Sequence, residues 1–287
     1  MDEEQFSFDA AKYKNAQREQ WNKDGAAWRR WNPILDRWYG EATRQMLDLA
    51  RIRQGQRILD IAAGAGEPAV SAAERVGPGG YVLATDISEG IVELARQVGH
   101  ERGLSQMETR VMDGEKLDLP GGSFDAVLCR FGLMYMPHPL AALREWRRAL
   151  RAGGRVAVAV FSTPDRNVWG ALPASIIRQR AQLSSPVPGQ PGPFSLGGPG
   201  VLEGVFREAG FSDAEIRTVP VPHRMADAAE YVQVAREAFG GFNAMMGRLT
   251  PQERESVWNE VEGSLHSFES PDGFEAPGEC LVVGATK

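Results

Sequence analysis

From residue 56 to residue 161 the chain alternates short β-rich runs with stretches whose apolar residues recur at helical spacing. No other feature limits its possible folds so tightly. The runs are Arg57 to Ile61, Tyr81 to Thr85, Glu108 to Met112, Phe124 to Cys129 and Arg155 to Phe161. Between them lie Glu67 to Arg75, Glu89 to Arg102 and Leu140 to Arg151. Strands separated by helices need crossover connections, which make neighbours parallel and cover both faces of the sheet. The pattern predicts an open, doubly wound α/β fold. Further along, Val201 to Ala209 reads as a helix, Ala214 to Val221 as a strand, and Gly278 to Lys287 as a final strand pairing antiparallel beside it.

Three segments stand outside this alternation. Residues 10 to 52 are rich in helix formers and carry Trp21, Trp28, Trp31 and Trp38. Trp28, Trp31 and Trp38 share one helical stripe, with Pro33 expected to break the run before Trp38. The stripe serves either to pack on the rest of the protein or to close over a ligand. Ser184 to Gly200, dense in proline and glycine, excludes regular structure and suits a functional cover. Asp227 to Phe268 has helical character and too little length for an independent domain, so it reads as a cap on the ligand side. The organisation expected is an N-terminal helical cap at 1–52 and one domain at 53–287. Within that domain the loop 162–200 and the helical insertion 226–270 cover substrate.

Composition removes several function classes. A net charge of -6 argues against a dedicated nucleic-acid surface, which needs clustered positive charge. The apolar runs fall short of the ~20 residues that span a bilayer. The acidic start, Asp2 to Glu4, is unlike a basic signal-peptide opening, so a cytoplasmic protein is expected. Two cysteines, Cys129 and Cys280, make no disulfide framework, and His100, His138, His223 and His266 are scattered, so no metal site is expected.

The chemistry is concentrated in Arg57-Ile-Leu-Asp60-Ile-Ala62-Ala-Gly64-Ala-Gly66-Glu67-Pro68. A strand ends at Asp60, a turn of small residues follows, and a helix begins near Gly66. Glycine lets the backbone approach a ligand closely, and a helix start offers free amide donors. Asp86 follows the next strand at the distance where a carboxylate accepts ribose hydroxyls. A tight turn without ligand would carry the same glycines, and Asp60 separates the possibilities. Beside the turn its carboxylate repels a dinucleotide diphosphate and attracts an ammonium or sulfonium. At ~4 Å that difference in sign is worth about 4 kcal/mol. S-adenosylmethionine is favoured over NAD.

Here the sequence resembles the class I S-adenosylmethionine-dependent methyltransferases, most closely the ubiquinone/menaquinone-biosynthesis type of small-molecule methyltransferase. The likeness covers roughly residues 20 to 220 in four blocks. In LDIAAGAG, Asp60, Gly64 and Gly66 match the cofactor turn. Ala62 stands where many members have glycine, which the turn tolerates if its φ stays negative. In VLATDIS, Asp86 matches the ribose-binding acid, and Ile87 and Ile91 the apolar residues around adenine. In MDGEKLDLPGGSFDAV, Asp113 and Gly114 match the positions that read the adenine edge. LREWRRALRAGGRVAVAVF matches the helix, glycine turn and fifth strand. The resemblance implies a Rossmann-like seven-stranded sheet of order 3-2-1-4-5-7-6, with strand 7 antiparallel.

Substrate is expected beyond the fourth strand, at Cys129-Arg130-Phe131-Gly-Leu-Met134-Tyr135-Met136-Pro137-His138. Arg130 is placed against the methionine part of the cofactor. Phe131 and Tyr135 form an apolar wall, and Tyr13, Trp28, Trp31 and Trp169 orient or enclose the acceptor. His138 is the candidate general base, with Tyr135 as a second catalytic candidate, although a plain turn residue opening the next helix also suits position 138. The expected activity is methyl transfer from S-adenosylmethionine, leaving S-adenosylhomocysteine, to carbon, oxygen or nitrogen of a small organic acceptor. An NAD-dependent oxidoreductase and a non-catalytic S-adenosylmethionine-binding module remain the rival readings.

Overall fold

The computed structural model describes residues 8–185, 187 and 189–287; the acidic start Asp2 to Glu4, and Pro186 and Pro188 of the proline-rich segment, lie outside the described residues. Helix α1 (Ala10–Leu49) leads into β1 (Arg57–Ile61), α2 (Ala69–Val76), β2 (Tyr81–Asp86), α3 (Glu89–Glu101), β3 (Met107–Val111), β4 (Phe124–Arg130), α4 (Pro139–Ala149) and β5 (Leu150–Phe161). Then come α5 (Val168–Arg180), α6 (Val201–Glu208), β6 (Ser212–Pro220), β7 (His223–Met225), α7 (Ala228–Ala238), α8 (Gly240–Met245), α9 (Pro251–Leu265), β8 (Glu269–Ser270), β9 (Gly273–Ala276) and β10 (Glu279–Thr286).

Seven strands form the main sheet in the order β3-β2-β1-β4-β5-β10-β6. All neighbours from β3 to β5 are parallel, and β10 runs antiparallel to both β5 and β6. This is the expected order, with β10 in the place of the seventh strand. β1, β2 and β4 are buried almost throughout, as strands covered on both faces must be. The chain reverses its direction of winding between β1 and β4, which opens a crevice at their C-terminal ends. Asp60, Asp86 and Arg130 all stand there.

One sequence expectation needs correction, and one feature went unread. Pro33 does not end the first helix, which runs unbroken for 40 residues. Pro33 is exposed while Trp31 and Leu35 beside it are buried, so core packing outweighs one lost backbone hydrogen bond. The stretch Asp227 to Phe268 is helical as expected, carrying α7, α8 and α9, while β7, β9 and β8 flank it and make a second, three-stranded sheet that the sequence reading did not name. Its strands are two to four residues long, too short to show a period of two.

Candidate functional site

The turn after β1 is built from left-handed backbone. Gly64 has φ 57° and Gly66 φ 124°, conformations glycine adopts without penalty. Ala62 has φ 56°, so the expectation of a negative φ there fails. The position demands what glycine gives freely, and alanine holds it at a cost of roughly 1 kcal/mol or more. Its methyl group leaves no room opposite, since a Cβ on Gly132 would lie 2.5 Å from Cβ of Ala62.

Two carboxylates face this turn in opposite states. Oδ2 of Asp86 accepts the Gly64 N–H at 3.2 Å, and Oδ1 accepts the Ser88 N–H at 3.0 Å. Those bonds fix the group and leave lone pairs for a ligand. Asp60 is fully buried, and neither of its oxygens has a hydrogen-bond partner among the described residues. Burial pushes its carboxyl well above the usual range, Arg130 and the nearby Ala69 N–H, which falls short of a full hydrogen bond, pull it down, and Glu67 and Asp86 raise it further. An isolated buried carboxylate is costly, and a cation brought alongside relieves that cost.

The expected adenine side lies across the crevice. Ile91 is buried and Ile87 half-buried. The Gly114 carbonyl accepts from the Trp146 indole at 2.8 Å, and a Cβ on Gly114 would meet Met136 at 2.6 Å and Ile61 at 2.8 Å. Asp113 Oδ1 accepts the Glu115 N–H, and Oδ2 pairs with Lys14 at 2.7 Å. Lys14 also reaches Glu115 at 2.6 Å. Sequence reasoning missed Lys14, since nothing local marks a lysine 99 residues from its partner.

At the end of β4, Arg130 donates to Thr43 at 2.9 Å. It shares a cavity of about 630 Å³ with Asp36, Thr43, Leu47, Glu67 and Ser71, between α1 and α2. Phe131 follows with φ 59° and stacks on Phe161 at 4.3 Å. Tyr135 and Tyr13 are both half-buried. Burial raises the Tyr13 phenol to about 12 and the Tyr135 phenol further, with Tyr13 adding to the latter. The proline-rich segment comes down on this end of the strand: Gly192 N–H and Ser195 Oγ both donate to the Met134 carbonyl at 2.9 Å.

The remaining candidates separate. His138 occupies the position just before α4, where its N–H donates to Glu115 and its ring is exposed. That placement suits a turn residue opening α4, and the exposed imidazole is not enclosed by the described residues. The buried histidine is His223, within hydrogen-bond distance of the Tyr39 hydroxyl at 2.9 Å and stacked on Trp169 at 4.3 Å. Burial lowers it to about 3, so it is neutral. Trp169 is buried in the same cluster, its indole donating to Asn167. Trp28 donates to the Ala238 carbonyl at 2.9 Å and Trp31 to Glu237 at 2.8 Å. Trp28 and Trp31 therefore form a seam between α1 and the end of α7, and Trp38 donates to the Arg224 carbonyl of β7 at 3.1 Å.

The residues present suit a cofactor with a cationic tail on an adenosine: an unpaired buried carboxylate, a tethered second acid, and a backbone wedge at Gly114. They do not suit a diphosphate at the turn. A family profile described as a methyltransferase domain matches residues 59–158, spanning β1 to β5. This segment is a class I S-adenosylmethionine-dependent methyltransferase domain. Among curated relatives, the ubiquinone/menaquinone biosynthesis C-methyltransferase of Pseudomonas putida is 38% identical over 126 residues, 44% of this chain and 49% of the relative. Nocamycin O-methyltransferase of Saccharothrix syringae is 33% identical over 177 residues, 58% of this chain and 63% of the relative. Aklanonic acid methyltransferase of a Streptomyces strain is 37% identical over 121 residues, 42% and 54%. The chain thus spans about half the length of the first of these relatives. The YcgJ protein of Bacillus subtilis shares the fold, with a TM-score of 0.59 at 18% identity over 86% of this chain and 98% of its own. Phosphoethanolamine N-methyltransferase 2 of Haemonchus contortus shares it at 0.52, with 17% identity over 85% of this chain and 53% of its own. No helix among the described residues is long and apolar enough to cross a membrane.

Proposed function

We propose that this chain transfers a methyl group from S-adenosylmethionine to a small organic acceptor. The observation that carries the reading is the buried, unpartnered carboxylate of Asp60 beside the glycine turn. Asp60 would hold the ammonium of the cofactor, and Asp86 its ribose hydroxyls. Asp113 and the Gly114 backbone would read the adenine edge between Ile87 and Ile91, with Arg130 near the methionine carboxylate. When bound, the cofactor supplies an electrophilic methyl group. The turn from Ala62 to Gly66 and the wall of Phe131 and Tyr135 align the acceptor for in-line attack and exclude water, which is the main contribution a protein makes to such a displacement.

Helix α1, the segment 162–200 and the insertion 226–270 act in this reading as covers, favouring an acceptor of modest size. Relatives that methylate carbon and oxygen support a small organic acceptor as the class. The test is mass spectrometry of small-molecule pools incubated with the protein and a methyl-labelled cofactor. Label in an acceptor, with S-adenosylhomocysteine formed only in its presence, is expected. Tight binding of a nicotinamide dinucleotide with no affinity for S-adenosylmethionine would reject the reading.

A further inference from the structure

The first four turns of α1 are held differently from the rest of that helix. No residue from 10 to 24 is buried, whereas Leu35, Trp38, Tyr39, Ala42, Met46 and Leu49 further along are core. What fastens the early part is polar. Lys14 bridges Asp113 and Glu115 at 2.7 and 2.6 Å. Asn22 Oδ1 accepts from the Ser88 hydroxyl at 2.7 Å and the Gly90 N–H at 3.0 Å. Gln20 and Asp24 lie against Gly240 at the start of α8. Asp113 is the residue assigned above to the adenine edge, and Ser88 to Gly90 directly follow the ribose acid Asp86. The early turns of α1 therefore cross the rim of the adenosine site. Gly25 ends this part, a residue that weakens a helix interior, and Trp28 and Trp31 fasten the following turns to α7.

We propose that residues 10–24 are a strap that closes over the adenosine site and lifts to let the cofactor in and out, with Lys14 as its latch. The inference rests on the cofactor reading given above. A segment with no buried side chain and a few polar ties opens at low free energy compared with the core. Glu115 gives Lys14 a second partner, so the ammonium stays docked when Asp113 turns to an adenine. Such a closure sets the rate of ligand exchange without touching the reacting atoms.

Two variants that act in opposite directions test it, with labelled S-adenosylhomocysteine as the probe. In Lys14→Ala the latch is gone, and release and uptake both speed up by about tenfold, as expected where opening limits exchange. In the double variant Asn22→Cys, Gly90→Cys a disulfide locks the strap. A Cβ on Gly90 would lie 3.7 Å from Cα of Asn22, within disulfide reach, and the native Cys129 and Cys280 are buried and free. Oxidised protein, its cross-link confirmed by mass spectrometry, exchanges probe far more slowly than reduced protein, and a thiol reductant restores the rate. Equal exchange in oxidised and reduced forms, or unchanged rates in Lys14→Ala, overturns the strap. Absence of probe binding to the unaltered protein by calorimetry overturns the cofactor reading itself.

Discussion

At the scale of single residues, the turn after β1 shows how one methyl group fixes its neighbour. Ala62 keeps a left-handed backbone, and its Cβ occupies the space a side chain at 132 would need. Gly132→Ala brings its Cβ to 2.5 Å from Ala62 and 2.8 Å from the Cys129 sulfur. A loss of about 1–3 kcal/mol in urea unfolding is expected, the usual cost of overpacking. Adding Ala62→Gly removes the first clash and not the second, so only part of the loss returns. His223 makes a second prediction. Its imidazole is lowered from 6.5 to about 3 by burial, so between these values the unfolded chain binds a proton that the folded chain does not. The stability this group contributes is present above pH 6.5 and is lost as pH falls toward 3, at about 1.4 kcal/mol per unit. His223→Gln, which keeps a partner for Tyr39, is expected to show a smaller drop in melting temperature from pH 7 to pH 5 than the native chain. An equal drop in both would remove His223 as the source.

At the scale of elements, the main sheet was legible because each strand is a run of β-formers bounded by turn residues and each helix carries a separate apolar stripe. The boundaries of β1 match the sequence reading, and those of β2 and β3 shift by one residue, since periodicity locates the middle of an element better than its ends. The glycine turn and Asp60 were legible for the same reason, because their chemistry is local. What escaped the sequence was long-range. His223 gains its surroundings from α1 and α5, Lys14 reaches across the crevice, and β7 to β9 exist only by pairing with one another. Pro33 escaped because the penalty of one residue is outweighed by the buried face of the whole helix. That balance gives a prediction: Pro33→Ala restores a backbone donor at an exposed position inside α1 and stabilises the protein, by about 1 kcal/mol after the greater flexibility of the unfolded variant is subtracted. Circular dichroism of thermal unfolding measures it, and a lower melting temperature would contradict the account.

At the scale of the whole molecule, the fold keeps a destabilising group where the ligand needs it. The doubly wound sheet carries Asp60 to the bottom of the crevice, away from water, with Glu67 and Asp86 near enough to raise it further. Without ligand the folded chain holds on to a proton there that the unfolded chain has released, so this group weakens the fold as pH rises from 3.8 through its elevated folded value. A cofactor ammonium prefers the ionised form, so the same rise in pH strengthens binding. Asp60→Asn separates the two effects. At pH 7 the unliganded variant is expected to be about 1 kcal/mol more stable, because the cost of holding on to a proton that the unfolded chain releases is gone. Its affinity for S-adenosylhomocysteine falls by about 2 kcal/mol, roughly thirtyfold, the scale of a hydrogen bond to a charged group. The native protein binds this ligand more weakly as pH is lowered toward 5, and in the variant that slope flattens. Calorimetric titrations at pH 5, 6, 7 and 8 read both quantities, and an undiminished affinity in Asp60→Asn would show that the buried carboxylate answers to something other than the cofactor tail.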